Sequence, residues 1–168
     1  FLLGDRFDQF GRAGDPVARG QFLDRRAEFA ARIGRARHEH PAQRAVVVGD
    51  RQMRWRDLDE RAAKLAGALT AEGIGAGSKV GQLLFNCPEY LETVYSLFKV
   101  RSTPVNVNYR YLTDEIVYIL DNADAEALVF HGSLGERLVG VAERLPNLKL
   151  LLQVDDGTPL VPGARWYH

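Results

Sequence analysis

The sequence predicts a three-layer α/β domain, with a mostly parallel sheet flanked by helices and preceded by an N-terminal helix and a β-hairpin. Three observations predict it. After residue 56, helical and strand-like segments alternate strictly, as parallel strands joined by helical crossovers require. The segment at 80–85 reads as an apolar strand suited to burial on both faces, the mark of a parallel sheet. The chain has 168 residues, enough to bury one real core.

The elements follow in order. Residues 1–20 carry scattered Gly, one Pro and mixed charge, and read as extended or loop. In LDRRAEFAARIGRARHEH, Leu23, Ala27, Ala30 and Ile33 fall near helical spacing, and Pro41 ends the helix. Residues 45–48 are a short apolar run, Gly49-Asp50 is a turn signal, and 53–55 resume extended structure: a hairpin. Asp57 and Glu60 have capping-box spacing, and Leu58, Ala62, Leu65 and Leu69 then form one helical face closed by Gly73.

The strand at 80–85 comes next. Pro88 suits the first turn of a helix with Leu91, Val94 and Phe98 on its inner face. Residues 104–107 form a strand, and Thr113 opens a helix carrying Ile116, Ile119 and Leu120. Residues 127–130 are a strand. Ser133 and Glu136 spell a second capping box, leading a helix with Leu134, Leu138, Val141 and Leu145 on one face. Residues 148–154 are the last strand, and the tail at 155–163 reads as linker. The closing PLVPGARWYH ends on aromatics expected to be exposed.

Composition narrows the function classes. Lys+Arg and Asp+Glu both number 22, so the basic footprint of a nucleic-acid binder is missing. The single Cys87 excludes an internal disulfide and fits a reducing, cytoplasmic setting. No apolar run approaches the roughly 18–20 residues of a membrane helix. The chain begins with Phe1 and its one Met is Met53, so a fragment of a longer protein is expected.

Most candidate motifs have a plain structural reading. Gly73-Ile74-Gly75-Ala76-Gly77 follows a helix and precedes a strand, the reverse of a dinucleotide-binding turn, so it reads as a connection. His131-Gly132-Ser133-Leu134-Gly135 lacks a phosphate-loop Lys and the spacing of a nucleophile elbow, and reads as a helix cap. His38 and His40 do not share a helix face, which argues against a joint metal site. Arg25, Arg26, Arg32, Arg35 and Arg37 read as a solvated face, Cys87 as packed and inert, and Asp155-Asp156 as a surface turn.

Asn106-Val107-Asn108-Tyr109-Arg110-Tyr111 differs. Two Asn, two Tyr and an Arg crowd the exit of a predicted parallel strand, where open α/β sheets bind ligands. Arg110 offers a fork suited to phosphate. The alternative is that the Asn side chains brace the turn into the helix at Thr113, with Arg110 paired to Asp114 or Glu115.

The stretch NCPEYLETVYSLFKVRSTPVNVNYRYLTDEIVYILDNADAEALVF at 86–130, with its flanks across 45–154, resembles the N-terminal region of acyl-CoA synthetases of the adenylate-forming superfamily. An aromatic-tipped strand leads into a Leu/Ala-rich helix. A strand ending at Asn86 precedes an acidic-aromatic helix start, and a Pro-x-Asn-x-Asn segment with Tyr and Arg follows. Arg101-Ser102 departs from the small residues expected there.

The resemblance implies a single partial domain over 1–168, from an enzyme that uses ATP, magnesium and CoA. That enzyme turns a carboxylic acid into its acyl-CoA through an acyl-adenylate, and the spelling NVNYRY is most like ligases of fatty or other large lipid acids. The ATP phosphate loop and the adenylating Lys are not found in these residues, so the resemblance implies no catalytic residue, no metal ligand and no activity in this portion alone. Arg110, with Asn108 and Tyr109, is implied as a rim for the CoA nucleotide. Two other readings remain open: an adenylation domain loading a carrier protein, and a noncatalytic α/β partner-binding module. Apolar surface on a partial sheet would favour self-association.

Overall fold

The computed structural model describes residues 28, 31–32, 34–36 and 38–167. The helix expected before Pro41 is helical at its described positions up to Glu39, with Arg32 and Arg35 exposed. Its apolar positions Leu23, Ala27, Ala30 and Ile33 lie outside the described residues, as do the reading of 1–20 and Arg25, Arg26 and Arg37.

The hairpin forms as expected and stands apart from the main sheet. Strands β1 (Arg44–Val48) and β2 (Arg51–Arg54) pair antiparallel around the Gly49-Asp50 turn. Helix α1 (Trp55–Ala71) follows at once. It starts earlier than the capping-box spacing implied. Arg54 holds the N-cap position, and Asp57 accepts a hydrogen bond from the Arg54 amide at 3.4 Å. Asp57 thus serves as the reaching-back acid of the first turn, not as the cap, because pairing of β2 carries the backbone straight into the helix. The Gly73 region is a connection: the amide of Ile74 donates to Leu69 O at 2.9 Å, and the Ile74 side chain is fully buried.

The main sheet is parallel throughout. Strands β3 (Lys79–Leu83), β4 (Thr103–Asn106), β5 (Ala125–His131), β6 (Leu150–Val154) and β7 (Arg165–Trp166) lie in the order β4-β3-β5-β6-β7. The alternation of segments did not give this order, in which β3 sits between β4 and β5. Strand β7 corrects the reading of the C-terminal segment. It docks beside β6, and Tyr167 is buried while Trp166 stays exposed.

Side-chain alternation on β5 divides the core into two layers. Ala127 and Val129 face one way, packing with Leu65 and Leu69 of α1 and with Leu150 and Leu152 of β6. Leu128 and Phe130 face the other way, against Ile116 and Leu120 of α3 (Thr113–Asn122) and against Leu134 and Leu138. The helix expected after Ser133 is broken. A 3-10 turn covers Gly132–Leu138, Val139 is extended, Gly140 adopts φ +75°, and a short α4 (Val141–Arg144) follows. The capping box does not form. The segment after β6 packs onto this turn so closely that a Cβ at Gly135 would stand 2.5 Å from Val161 Cγ2. Leu134, Leu138, Val141 and Leu145 still reach one shared cluster, so the apolar pattern survives the break.

Helix α2 (Pro88–Lys99) departs most from its expected face. Leu91 is exposed, and Val94 and Phe98 are half-buried. The inner face carries Glu89, Glu92, Thr93 and Ser96 instead, with Tyr95 and Leu97. Each buried carboxylate meets a cation from a different element. Glu92 is fully buried and holds Arg61 Nε of α1 at 2.6 Å, Glu89 holds Arg51 of β2 at 2.6 Å, and Asp59 of α1 holds Lys99 at 2.7 Å. The Tyr95 hydroxyl donates to Asp59 at 2.9 Å, and Tyr167 OH stands 3.3 Å from Glu92. Among the described residues, no buried side-chain nitrogen or oxygen lacks a partner.

Arg101 and Ser102, the departure from the expected small pair, have a physical account. Arg101 takes a left-handed φ of 60°, the position a glycine would fill without strain, while Ser102 is fully buried and donates to Gly75 O at 2.6 Å.

Two predictions follow from this packing. Leu65→Ala empties a site that is 3% exposed and should cost about 2–4 kcal/mol in urea unfolding, whereas half-buried Val94→Ala should cost roughly 1 kcal/mol or less. Equal losses would show that the two positions had been ranked wrongly. Burial alone would raise the Glu89 carboxyl, but the hydrogen bond and charge of Arg51 hold it below the ordinary value. A depressed folded value means the pair stabilises above the unfolded Glu pKa of about 4.3 and loses that contribution as pH falls through the folded value. Urea midpoints from pH 7 to pH 3 should therefore fall less steeply for Glu89→Gln than for the parent chain; identical slopes would sink the assignment.

Candidate functional site

All main-sheet strands are parallel, so their C-terminal ends share one edge. Four loops leave that edge: 107–112 after β4, 84–87 after β3, the 3-10 turn after β5, and 155–164 after β6. Polar and aromatic residues collect there, because the strands below are filled by aliphatic packing and the loops must meet water.

The loop after β4 carries the residues singled out in the sequence. Val107 roots it, with a side chain 1% exposed and an amide that donates to Gln82 O of β3 at 3.0 Å. Asn108 Oδ1 accepts from the Arg110 amide at 3.0 Å, and Asn108 O accepts from the Tyr111 amide at 2.9 Å. The bracing role foreseen for Asn is therefore present. Arg110 itself is exposed at the C-terminal end of β4. Its guanidinium carbon stands 5.5 Å from the centre of the Tyr109 ring. The alternative partners are engaged elsewhere: Asp114 pairs with Arg144 at 2.7 Å, and Glu115 accepts from the Leu112 amide at 2.9 Å. Arg110 has no ion pair among the described residues.

An aromatic row continues along the edge. The Phe85 ring centroid lies 5.1 Å from Tyr109 and 4.9 Å from His131, the latter edge-on. His131 ends β5. Its Nδ1 is 2.8 Å from Asp156 Oδ2 and 2.9 Å from Ser133 Oγ. Both partners share one ring nitrogen, so this is not a relay that passes a proton through the imidazole to Ser133.

Sequence reasoning missed the role of Asp156. Asp155 makes the expected surface turn, accepting from the Gly157 amide at 3.1 Å. Asp156 instead points back across the edge. It accepts from the Ser133 amide at 2.7 Å, from the Thr158 amide at 3.1 Å and from the Thr158 hydroxyl at 2.5 Å. Burial pushes its carboxyl up, but these donors and His131 together bring it below the ordinary value. Gln153, fully buried on β6, donates to Thr158 and Pro159 and accepts from the Val161 amide at 2.8 Å. A Cβ at Gly132 would collide with Thr158, Asp156 and Gln153, so only glycine allows this closeness. The one signal available was the pairing of Gly132-Ser133 after one strand with Asp156-Gly157-Thr158 after its neighbour.

The other candidates fall where chemistry is unfavourable. Cys87 occupies the N-cap position of α2 and is half-buried, and burial pushes its thiol up to about 11. Its position at the helix start does not make it a ready nucleophile. Among the described residues, no group of three His, Cys, Asp or Glu side chains stands close enough to hold a metal ion, and no helix is long and apolar enough to cross a membrane. A hollow of about 320 Å³ beside Tyr111, Asp114, Glu115, Tyr118 and Ile119 lies on the outer face of α3.

An open parallel sheet with a polar and aromatic rim at its strand C-termini makes this an α/β domain of the class that binds ligands at that edge. The AMP-binding enzyme family matches residues 33–164, and the chain belongs to that family. It is 34% identical over 143 residues to the medium-chain acyl-CoA ligase Mig of Mycobacterium avium, covering 76% of this chain and 26% of the relative. It is 36% identical over 118 residues to a 3-oxocholest-4-en-26-oate–CoA ligase of Rhodococcus rhodochrous, covering 70% and 21%. The crystal structure of a long-chain-fatty-acid-CoA ligase from Archaeoglobus fulgidus superposes with a TM-score of 0.70 at 28% identity, over 74% of this chain and 27% of that one. The chain thus spans about a quarter of the length of the curated relatives it matches.

Proposed function

We propose that this chain is the N-terminal portion of an ATP-dependent acyl-CoA synthetase, acting in the cytoplasm on fatty or other large lipid acids. The observation that carries the reading is the identity of 34–36% over 70% or more of the chain to enzymes named as acyl-CoA and steroid-acid CoA ligases. In this reading the parent enzyme joins acid and ATP into an acyl-adenylate with loss of pyrophosphate, and CoA thiol then displaces AMP. ATP and magnesium bind on residues outside this portion. The 168 residues contain no Ser/Thr/Gly-rich loop with a Lys that could cradle the ATP phosphates.

Arg110 is the residue of this portion that meets CoA, with Asn108 and Tyr109 shaping the rim. Three features support that role. Arg110 is exposed at a strand C-terminus, it has no ion pair among the described residues, and the carboxylates that follow it in sequence, Asp114 and Glu115, are engaged by other groups. A guanidinium is charged at every accessible pH, and its fork matches phosphate oxygens.

The isolated chain should release no pyrophosphate above background with ATP and fatty acids of several lengths; release would overturn the division of labour proposed here. In the full-length enzyme, Arg110→Ala should spare acyl-adenylate formation and weaken the CoA step by roughly 1–3 kcal/mol, the worth of one charged hydrogen bond at a partly exposed site. The two half-reactions are measured separately, by pyrophosphate release without CoA and by thioester formation from preformed adenylate. Unchanged thioester kinetics would end the assignment of Arg110 to CoA.

A further inference from the structure

We infer that Arg137 is a positioning residue for the CoA rim, an inference that rests on the role proposed above for Arg110. Arg137 lies near the end of the 3-10 turn after β5, half-buried and far in sequence from the loop after β4. Its Nη1 donates to two main-chain carbonyls of that loop, Tyr109 O and, at 3.2 Å, Tyr111 O. Its own carbonyl accepts from Thr113 Oγ1 at 2.9 Å, at the first residue of α3. Arg137 therefore grips the loop on both sides of Arg110 and at the helix that follows.

Nothing else in the loop does this. Asn108 braces it from within, over two and three residues, and Val107 roots only its first residue. Without Arg137, the Tyr109 ring on Phe85 and the packing of Tyr111 on the core would remain, but the carbonyls of Tyr109 and Tyr111 would lose their hydrogen bonds to another element. The contacts are also an unusual use of a guanidinium. Among the described residues Arg137 has no carboxylate partner, while Arg144, at the end of α4, takes Asp114. Both bonds leave the one nitrogen Nη1, which lies one bond further along its side chain than a lysine ammonium reaches. The carbonyls of Tyr109 and Tyr111 are thereby turned toward the β5 turn. The Arg110 side chain, between these two held peptides, lies over the Tyr109 ring. Arg137 acts through the loop and not by touching CoA.

The test is a double-mutant cycle in the full-length enzyme with Arg137→Ala, Arg137→Lys, Arg110→Ala and the Arg110→Ala/Arg137→Ala pair. Acyl-adenylate formation and the KM and kcat for CoA are read for each. Arg137→Ala should raise the KM for CoA about tenfold, leaving adenylate formation and thioester kcat unchanged. The double variant should be no worse than Arg110→Ala by more than about twofold, because a positioning residue has nothing left to position. Arg137→Lys should recover only a small part of the loss. Amide exchange should quicken at Arg110 and Tyr111 in Arg137→Ala and stay slow elsewhere in the sheet.

Additive losses, or full recovery with Lys, would show that Arg137 works as an independent charge and would overturn the inference while leaving Arg110 in place. Unchanged exchange at Tyr111 would do the same. An Arg110→Ala enzyme with unaltered CoA kinetics would instead remove the rim itself, and the positioning role with it.

Discussion

The fully buried carboxylate of Glu92 is the constraint around which one whole layer of this domain is arranged. A carboxylate taken out of water is costly, and it is tolerated only when paired and hydrogen-bonded. Arg61 supplies the charge from α1, and Tyr167 lies against the second oxygen from the segment beyond β7. Glu89 and Asp59 repeat the arrangement at the two ends of the α1–α2 contact, drawing in Arg51 of the hairpin and Lys99 of α2. Hairpin, both helices and the C-terminal strand are thus tied to one seam. Removing one partner would leave a buried charge uncompensated, so the seam constrains which helix pairing is possible more than it adds to net stability.

The opposite layer is built by apolar packing, and this asymmetry matters for the rim. On that side Ile116, Leu120, Leu128 and Phe130 fill the space between α3 and the sheet with no buried charge. Apolar packing is non-directional, and by itself it would leave the loops above it free to choose among conformers. Direction is restored at the strand ends by polar contacts: Asp156 to the turn after β5, Gln153 to the segment after β6, and Arg137 to the loop after β4. Asp156 and Arg137 each cross from one loop to another, and Gln153 fixes the segment that leaves its own strand, so the rim is held by contacts between loops as well as within them. Loops held this way keep exposed side chains such as Tyr109 and Arg110 in fixed relation to a rigid sheet, which is what a binding edge needs.

Much of the fold was legible because its signals are local. The Gly49-Asp50 turn, the aliphatic strands and the Thr113 helix start each depend on a few adjacent residues. The features that were misread depend on distant partners. The inner face of α2 looked like Leu91, Val94 and Phe98 because periodicity counts apolar residues. Glu92 goes inside only because Arg61, 31 residues earlier, meets it there. The helix after β5 breaks into a 3-10 turn because Val161 lies against Gly135, and β7 is two residues long, too short for any pattern to register. The candidate site divides in the same way. Asn108, Tyr109 and Arg110 could be found because they are contiguous and follow a strand. Arg137 and Asp156 could not, since Arg137 belongs to no motif in the sequence and Asp156 reads as half of an acidic turn.

The division bears on how this family's portion of sequence relates to its chemistry. At 34% and 36% identity, two CoA ligases with different acids in their names align with most of this chain. A segment shared across such acids is poorly suited to choosing among them. It is well suited to contacting what those reactions have in common, and the CoA nucleotide is common to both. The placement of Arg110 on a loop fixed by backbone contacts fits that role. Carbonyls and amides are present whatever the side chains are, so a loop held through them can keep its shape while its sequence drifts. Under the function proposed above, acid selection rests on residues outside this portion, and the rim at the ends of β3, β4 and β5 serves the half of the reaction that such ligases share.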